Sequence, residues 1–159
     1  YNFPHYSYQS AKEAAGYGKW HTGNKGYEHK GLLTGSITAT YGSQDNPTLL
    51  YSVMYYDNKQ RVIQTHSNNH LGGFDIVSTA YNFVGNPIKM LSEHQAVINN
   101  QSVPTEEQYT YKYDHAGRLI ETHHRLNNSQ RIMAIQNHYD ELGRLSSTSR
   151  NVYQEAINP

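Results

Sequence analysis

Tyr113-Asp114-His115-Ala116-Gly117-Arg118-Leu119 returns almost unchanged as Tyr139-Asp140-Glu141-Leu142-Gly143-Arg144-Leu145, and these two phrases decide how the chain is read. Looser copies stand at Tyr56-Asp57-Asn58-Lys59-Gln60-Arg61-Val62 and Tyr81-Asn82-Phe83-Val84-Gly85-Asn86-Pro87. An Asp or Asn heading a turn accepts bonds from the amides that follow it. A Gly three residues later suits the left-handed position of a three-residue hairpin loop, where a Cβ costs about 1 to 2 kcal/mol. The four tyrosines are 25, 32 and 26 residues apart, which fits two strands and two turns, so one repeat is one hairpin step. Within a phrase, Tyr113 and Arg118 are expected to face each other across the hairpin mouth with the guanidinium on the ring. Gln60 in the Gly position implies a strained turn or one of another type. Asn82 replaces Asp as the acceptor, and Pro87 should turn its missing N–H away from a paired strand.

Outward from the phrases, two-residue alternation predicts strands over 36–41, 49–56, 61–68, 74–83, 88–98, 107–113, 118–126, 130–139 and 144–153. Tyr51, Val53 and Tyr55 share one side of the second, and Tyr109, Tyr111 and Tyr113 share one side of the sixth. Looser polar links fall at 68–73, 99–105 and 127–129, and a turn at 44–47 is set by Pro47. Because every link is short, neighbouring strands run antiparallel. The fold class is all-β: a meander of long hairpins in an open sheet wide enough to curve. This β-sheet domain covers 36–159. Residues 1–35 form a separate irregular segment, in which Ser10-Ala11-Lys12-Glu13 has the form of a capping box and Gly16 closes a helix near 10–15. The Gly-rich stretch 16–35 is expected to lie over one end of the sheet or to belong to another unit.

Composition narrows the partners. Thirteen basic and thirteen acidic residues cancel, which argues against nucleic acid and anionic membrane as partners. Cysteine is absent, so there is no disulfide and no thiolate metal site. Fifteen tyrosines against three phenylalanines and one tryptophan suit thin sheets whose faces stay partly wet. No apolar run reaches the roughly 18 residues of a membrane span. The first residue is Tyr and the repeats run nearly to the last, so the chain reads as a piece of a longer one.

The Tyr-Asp-x-x-Gly-Arg-Leu phrase, followed by an alternating strand such as Ile120-Glu121-Thr122, resembles the YD repeat of the RHS proteins. The stretch 55–79, with Arg61-Val62-Ile63-Gln64-Thr65 and Asn69-His70-Leu71-Gly72-Gly73, is similar to the RHS-type proteins of Bacteroidetes. The resemblance covers residues 49–153. It implies a β-sheet strip that spirals into a shell around a polypeptide cargo, of which this chain would be one arc. It also implies secretion or display at the cell surface, with other repeats of the parent chain as partners.

No residues assemble into a catalytic motif, so the chain is read as a non-catalytic structural module without cofactor or metal. Among ten histidines, His66 with His70 and His123 with His124 are the nearest pairs, but the first straddles a turn and neighbours on a strand diverge. Glu106-Glu107 diverges likewise. Gly16-Tyr17-Gly18-Lys19 lacks the strand and helix of a phosphate loop. The repeat-turn residues (Tyr56, Asp57, Arg61, Tyr81, Asn82, Gly85, Tyr113, Asp114, Gly117, Arg118, Tyr139, Asp140, Gly143 and Arg144) are read as architectural. Candidates for stacking on a glycan are Tyr17, Trp20, Tyr27, Tyr109 and Tyr111; the alternative is that they pack within the fold. Open edges at both ends of the sheet predict edge-strand dimers.

Overall fold

The computed structural model describes residues 6–21, 31–41 and 47–152. After a short helix, α1 (Ala11–Ala14), come nine strands: β1 (Gly35–Thr40), β2 (Thr48–Tyr56), β3 (Val62–Asn68), β4 (Phe74–Tyr81), β5 (Pro87–Ile98), β6 (Gln101–Tyr113), β7 (Leu119–Leu126), β8 (Ile132–Tyr139) and β9 (Leu145–Val152). They pair in sequence order as one antiparallel open sheet with β1 and β9 at its edges. Eight of the nine match the predicted spans to within about two residues. Of the predicted 44–47 turn only Pro47 is described, and Tyr153 of the last strand lies outside the described residues.

β6 is the exception, because it begins six residues earlier than the expected 107. The expected loose link at 99–105 is instead the two-residue turn Asn99-Asn100, with φ of +52° and +60°, the signs that a type I′ hairpin demands. Pro104 sits inside the ladder opposite Gln95. It is tolerated because Glu106 turns its N–H toward Asn127, and Pro104, two residues earlier, turns the same way. That side lies past the last β6–β7 pair, Glu107 with Leu126, so no ladder bond is lost. Pro87 obeys the same rule. Its carbonyl faces Tyr113, and backbone pairing with β6 begins only at Lys89.

Each phrase hairpin carries a bulge just past the turn. Tyr55 pairs with Gln64 but Tyr56 with Val62, leaving Ile63 as the extra residue, and Ile88, Ile120 and Ser146 are extra at the equivalent places. Four bulges at one end of the sheet add local twist there and curve it.

Register defines two faces. Tyr55, Gln64, Ser78, Leu91 and Gln108 lie in one row, and Val53, His66, Ile76 and Glu93 in the next, all on the first face. Residues 6–21 lie across this face, so the described start of the Gly-rich stretch, 16–21, does not lie over the end of the sheet as expected, and 22–30 lie outside the described residues. Gly18 donates to Thr79 O at 3.2 Å and His21 to Tyr56 O at 3.0 Å. An added Cβ on Gly18 would stand 2.3 Å from Ile63 Cγ2, so only glycine allows this approach. Tyr17, Val53, Ile63, Ile76, Ala80 and Leu91 are buried beneath or within the segment. The second face, with Met54, Thr65, Val77, Ser92, Tyr109 and Tyr111, has no covering layer among the described residues.

The capping box at α1 does not form. Ser10 makes no side-chain cap bond, and the Glu13 carboxylate accepts instead from Tyr8 Oη at 2.8 Å. Glu13 is therefore an anchor between helix and segment. Gly16 does close the helix, at φ +84°, with Tyr17 N–H bonded to Lys12 O and Gly16 N–H to Glu13 O.

Candidate functional site

The four phrases form one kind of turn. The Asp114 amide donates to Arg118 O at 2.9 Å and the Gly117 amide to Asp114 O at 3.0 Å. Asp114 Oδ1 accepts from the amides of Ala116 and Arg118, and Oδ2 from Arg118 Nε at 2.6 Å. The phrases at Asp57 and Asp140 repeat this set, and at Asn82 the amide keeps the backbone bonds while its Oδ1 takes the Asn86 amide. Bonds from the Arg118 and Ala116 amides and the Arg118 guanidinium hold the Asp114 carboxyl below its usual range. At Asp57 burial pushes upward, but the Arg61 side chain and the amides of Arg61 and Lys59 outweigh it, and the net shift is down.

Gln60 occupies the same left-handed position, at φ +62°, as Gly117 and Gly143 do at +79°. The turn is thus unchanged in type, and the non-glycine residue carries the strain. Gln60→Gly is expected to raise stability by about 1 kcal/mol, and Gly117→Val to lower it by about 1 to 2 kcal/mol. Thermal melts of the two variants giving the reverse order would refute the turn geometry.

The expected ring contact within one phrase is absent, and a contact between phrases takes its place. The guanidinium of Arg118 lies over the ring of Tyr139, 4.7 Å from its centroid, and that of Arg61 over Tyr81 at 4.8 Å. The tyrosine hydroxyls reach back in the same sense: Tyr81 to Val62 O, Tyr113 to Pro87 O and Tyr139 to Leu119 O, at 2.8 to 2.9 Å. Each acceptor is the residue after the Arg, or Asn86, of the preceding phrase. The reason is the spacing of hairpins in a sheet, which puts each turn beside the next along one end. A Cβ on Gly143 would come 3.0 Å from Arg118 Nη1, so this glycine also gives the preceding guanidinium its room. The result is a column of turns tied at every step.

The link at 68–73 is a copy of the same turn on the opposite end of the sheet. Asn69 N–H bonds Gly73 O, Gly72 N–H bonds Asn69 O, and Asn69 Oδ1 takes the amides of Leu71 and Gly73. Gly72 has φ +73°. The signal was present as Asn69 followed by Gly72, but without the Tyr and Arg it was read as a loose link.

The aromatic candidates are scattered. Tyr17 is buried, its hydroxyl accepting from Gln108 Nε2 at 3.1 Å with Lys89 Nζ over the ring. Trp20 packs against Tyr8 and Tyr55 at 5.2 and 5.1 Å on the first face. Tyr27 lies outside the described residues. Tyr109 and Tyr111 share the second face, their rings near-parallel at 6.4 Å, with His124 stacked on Tyr109 at 4.6 Å. Among the histidines, His66 is buried and His70 exposed, while His123 pairs with Glu121 on one face and His124 lies against Tyr109 on the other. Among the described residues no three His, Asp or Glu converge as a metal site, and no helix is long and apolar enough to cross a membrane.

Neither a family model nor a curated protein matches the chain.

Proposed function

We propose that the chain is a structural module, a YD-repeat segment of a secreted or cell-surface RHS-type protein, and that it builds part of a β-shell or a protein-interaction surface. One observation carries the reading. The carboxylates of the repeated phrases are engaged within their own turns, and the hydroxyls of Tyr81, Tyr113 and Tyr139 and the guanidinium groups of Arg61 and Arg118 are engaged in holding successive turns together, which is an architectural use of these groups. An architectural tyrosine should cost stability when its hydroxyl is removed. Tyr113→Phe leaves Pro87 O without this donor and is expected to lower unfolding free energy by about 1 kcal/mol. Denaturant unfolding that shows no drop would remove the support.

Carbohydrate binding stands second. Its support is the row of Tyr111, Tyr109 and His124 rings on the uncovered face, since Tyr17 and Trp20 are taken up by packing. Saturable glycan-array binding that disappears in Tyr109→Ala would put this reading first.

A further inference from the structure

A run of hydrogen bonds on the first face fixes the state of one buried ring. The Gln9 backbone amide donates to Gln64 Oε1 at 2.8 Å, and Gln64 Nε2 donates to Ser78 Oγ at 3.2 Å. A backbone N–H only donates, so the atom of Gln64 that faces it is the oxygen. His66 Nε2 meets that same oxygen at 2.7 Å, and this contact is therefore a donation. Nε2 thus carries the proton of the neutral imidazole, and Nδ1 is left as a bare acceptor. Burial lowers the His66 pKa from 6.5 to about 4, so the ring is neutral at pH 7. His66 is buried, and its Nδ1 makes no hydrogen bond among the described residues. The residue borders a cavity of about 430 Å³ between the N-terminal segment and the sheet. Tyr6 and Gln9 line it on the segment side, and Phe74, Ile76 and Gln95 on the side of β4 and β5. Its volume falls in the range of small-molecule sites, roughly 300 to 1,000 Å³. No Lys, Arg, Asp or Glu stands among its described lining residues.

We propose that this cavity binds a small neutral molecule with a planar ring and one O–H or N–H donor, a phenol or an indole. The ring lies among Tyr6, Phe74 and Ile76, and the donor bonds His66 Nδ1. Each feature of the ligand follows from the lining. Without a charged side chain the cavity offers a cation no counter-charge, and an anion would meet the lone pair of Nδ1. The aromatic and branched walls favour an apolar body. A buried acceptor without a partner costs free energy that a single donor recovers. A sugar, with hydroxyls on every side, would leave some of them unpaired against Phe74 and Ile76. Tyr55 meets the His66 ring edge-on at 5.7 Å, which holds the acceptor in place for its ligand. The site lies apart from the Tyr-Asp turns and from the Tyr109 and Tyr111 face, so it adds ligand binding to a structural module.

The probes are phenol and its methyl ether, anisole, which keeps the ring and lacks the donor, each titrated into the whole protein at pH 7. Nuclear magnetic resonance follows the Ile76 methyl groups and the two ring nitrogens of His66. Phenol is expected to shift the methyl groups saturably and to move Nδ1 upfield, as an imidazole nitrogen moves on accepting a hydrogen bond. Anisole should leave Nδ1 where it is. His66→Phe keeps a ring and removes the acceptor, and should weaken phenol about two- to tenfold while sparing anisole. If that variant does not fold, the phenol and anisole pair on the unaltered protein decides alone. The proposal is overturned by no saturable shift up to the solubility of phenol, by bound phenol that leaves Nδ1 unmoved, or by anisole moving it equally. Shifts centred on Tyr109 and Tyr111 instead of Ile76 overturn it too. So do nuclear Overhauser effects from residues 1–5 to the Ile76 methyl groups that persist with phenol present, since the chain itself would then fill the cavity.

Discussion

Gly73→Ala is expected to lower unfolding free energy by about 3 kcal/mol or more, the largest effect of a methyl group added to any described glycine. Gly73 closes the turn into β4, and an added Cβ would stand 1.7 Å from Gln95 O and 2.6 Å from its carbonyl carbon. These are backbone atoms of β5, which is held on its far side by pairing of Gln95 with Pro104 in β6. The strand cannot yield without breaking that ladder. The same carbonyl accepts from Asn69 Nδ2 at 3.0 Å, so the turn is drawn onto β5 and the glycine is what lets it sit there. Gly73 is not among the residues at positive φ, so the cost comes from contact and not from backbone strain. Its neighbour supplies the control. Gly72 has φ +73° and its nearest atom would be Val97 Cβ at 3.8 Å, so Gly72→Ala should cost only the left-handed penalty of about 1 to 2 kcal/mol. Urea unfolding of both variants checks the pair, and equal losses would show that the β4–β5 contact is not as close as described.

Acidification should remove about 3 kcal/mol of stability through one residue, His66. His66 is 2% exposed on the first face, under the N-terminal segment. Nε2 donates to Gln64 Oε1 at 2.7 Å, the same oxygen accepts the Gln9 amide at 2.8 Å, and Gln64 Nε2 donates to Ser78 Oγ at 3.2 Å. The network is complete with a neutral imidazole. Burial lowers the His66 pKa from 6.5 to about 4. Because the folded value lies below the unfolded one, the unfolded chain takes up the proton first. The contribution is whole above about pH 6.5 and is lost as pH falls toward 4, which at about 1.4 kcal/mol per unit gives the figure above as an upper value. The Asp57, Asp114, Glu121 and Asp140 carboxyls, all shifted down, lose their share only around and below the usual carboxylate range. Comparing unfolding free energies at pH 7 and pH 5 therefore leaves these carboxylates ionised, and the His66→Gln variant reads the share of this histidine. His66→Gln should flatten the slope in that window; an unchanged slope would place the titrating group elsewhere.

The strand plan was legible because its signals are local. A two-residue period, an Asp or Asn heading a turn, and a Gly three residues on are all properties of a few consecutive residues. Short links then leave antiparallel order as the only arrangement. Where the reading failed, a local signal met a contrary one. Asn99-Asn100 is a tight-turn pair, but a proline five residues on, at 104, is a residue that central strands exclude. The ladder accepts it only because its N faces the side where β7 has ended, which depends on the length of a neighbouring strand. Ser10 and Glu13 had the letters of a capping box, yet Tyr8 reached the carboxylate first.

The sequence by itself determined the nine strands, their order and the turn at each Tyr-Asp phrase, down to which residue must tolerate a left-handed backbone. Tertiary structure decided which face the N-terminal segment covers, that Tyr17 and Trp20 pack against the sheet, and that Arg61 and Arg118 serve the tyrosine of the following phrase. The reason is physical. Turn type follows from bonds within about five residues, whereas Arg118 and Tyr139 meet because two hairpins lie one sheet spacing apart. The phrase is written in each repeat, but its arginine and tyrosine act between repeats.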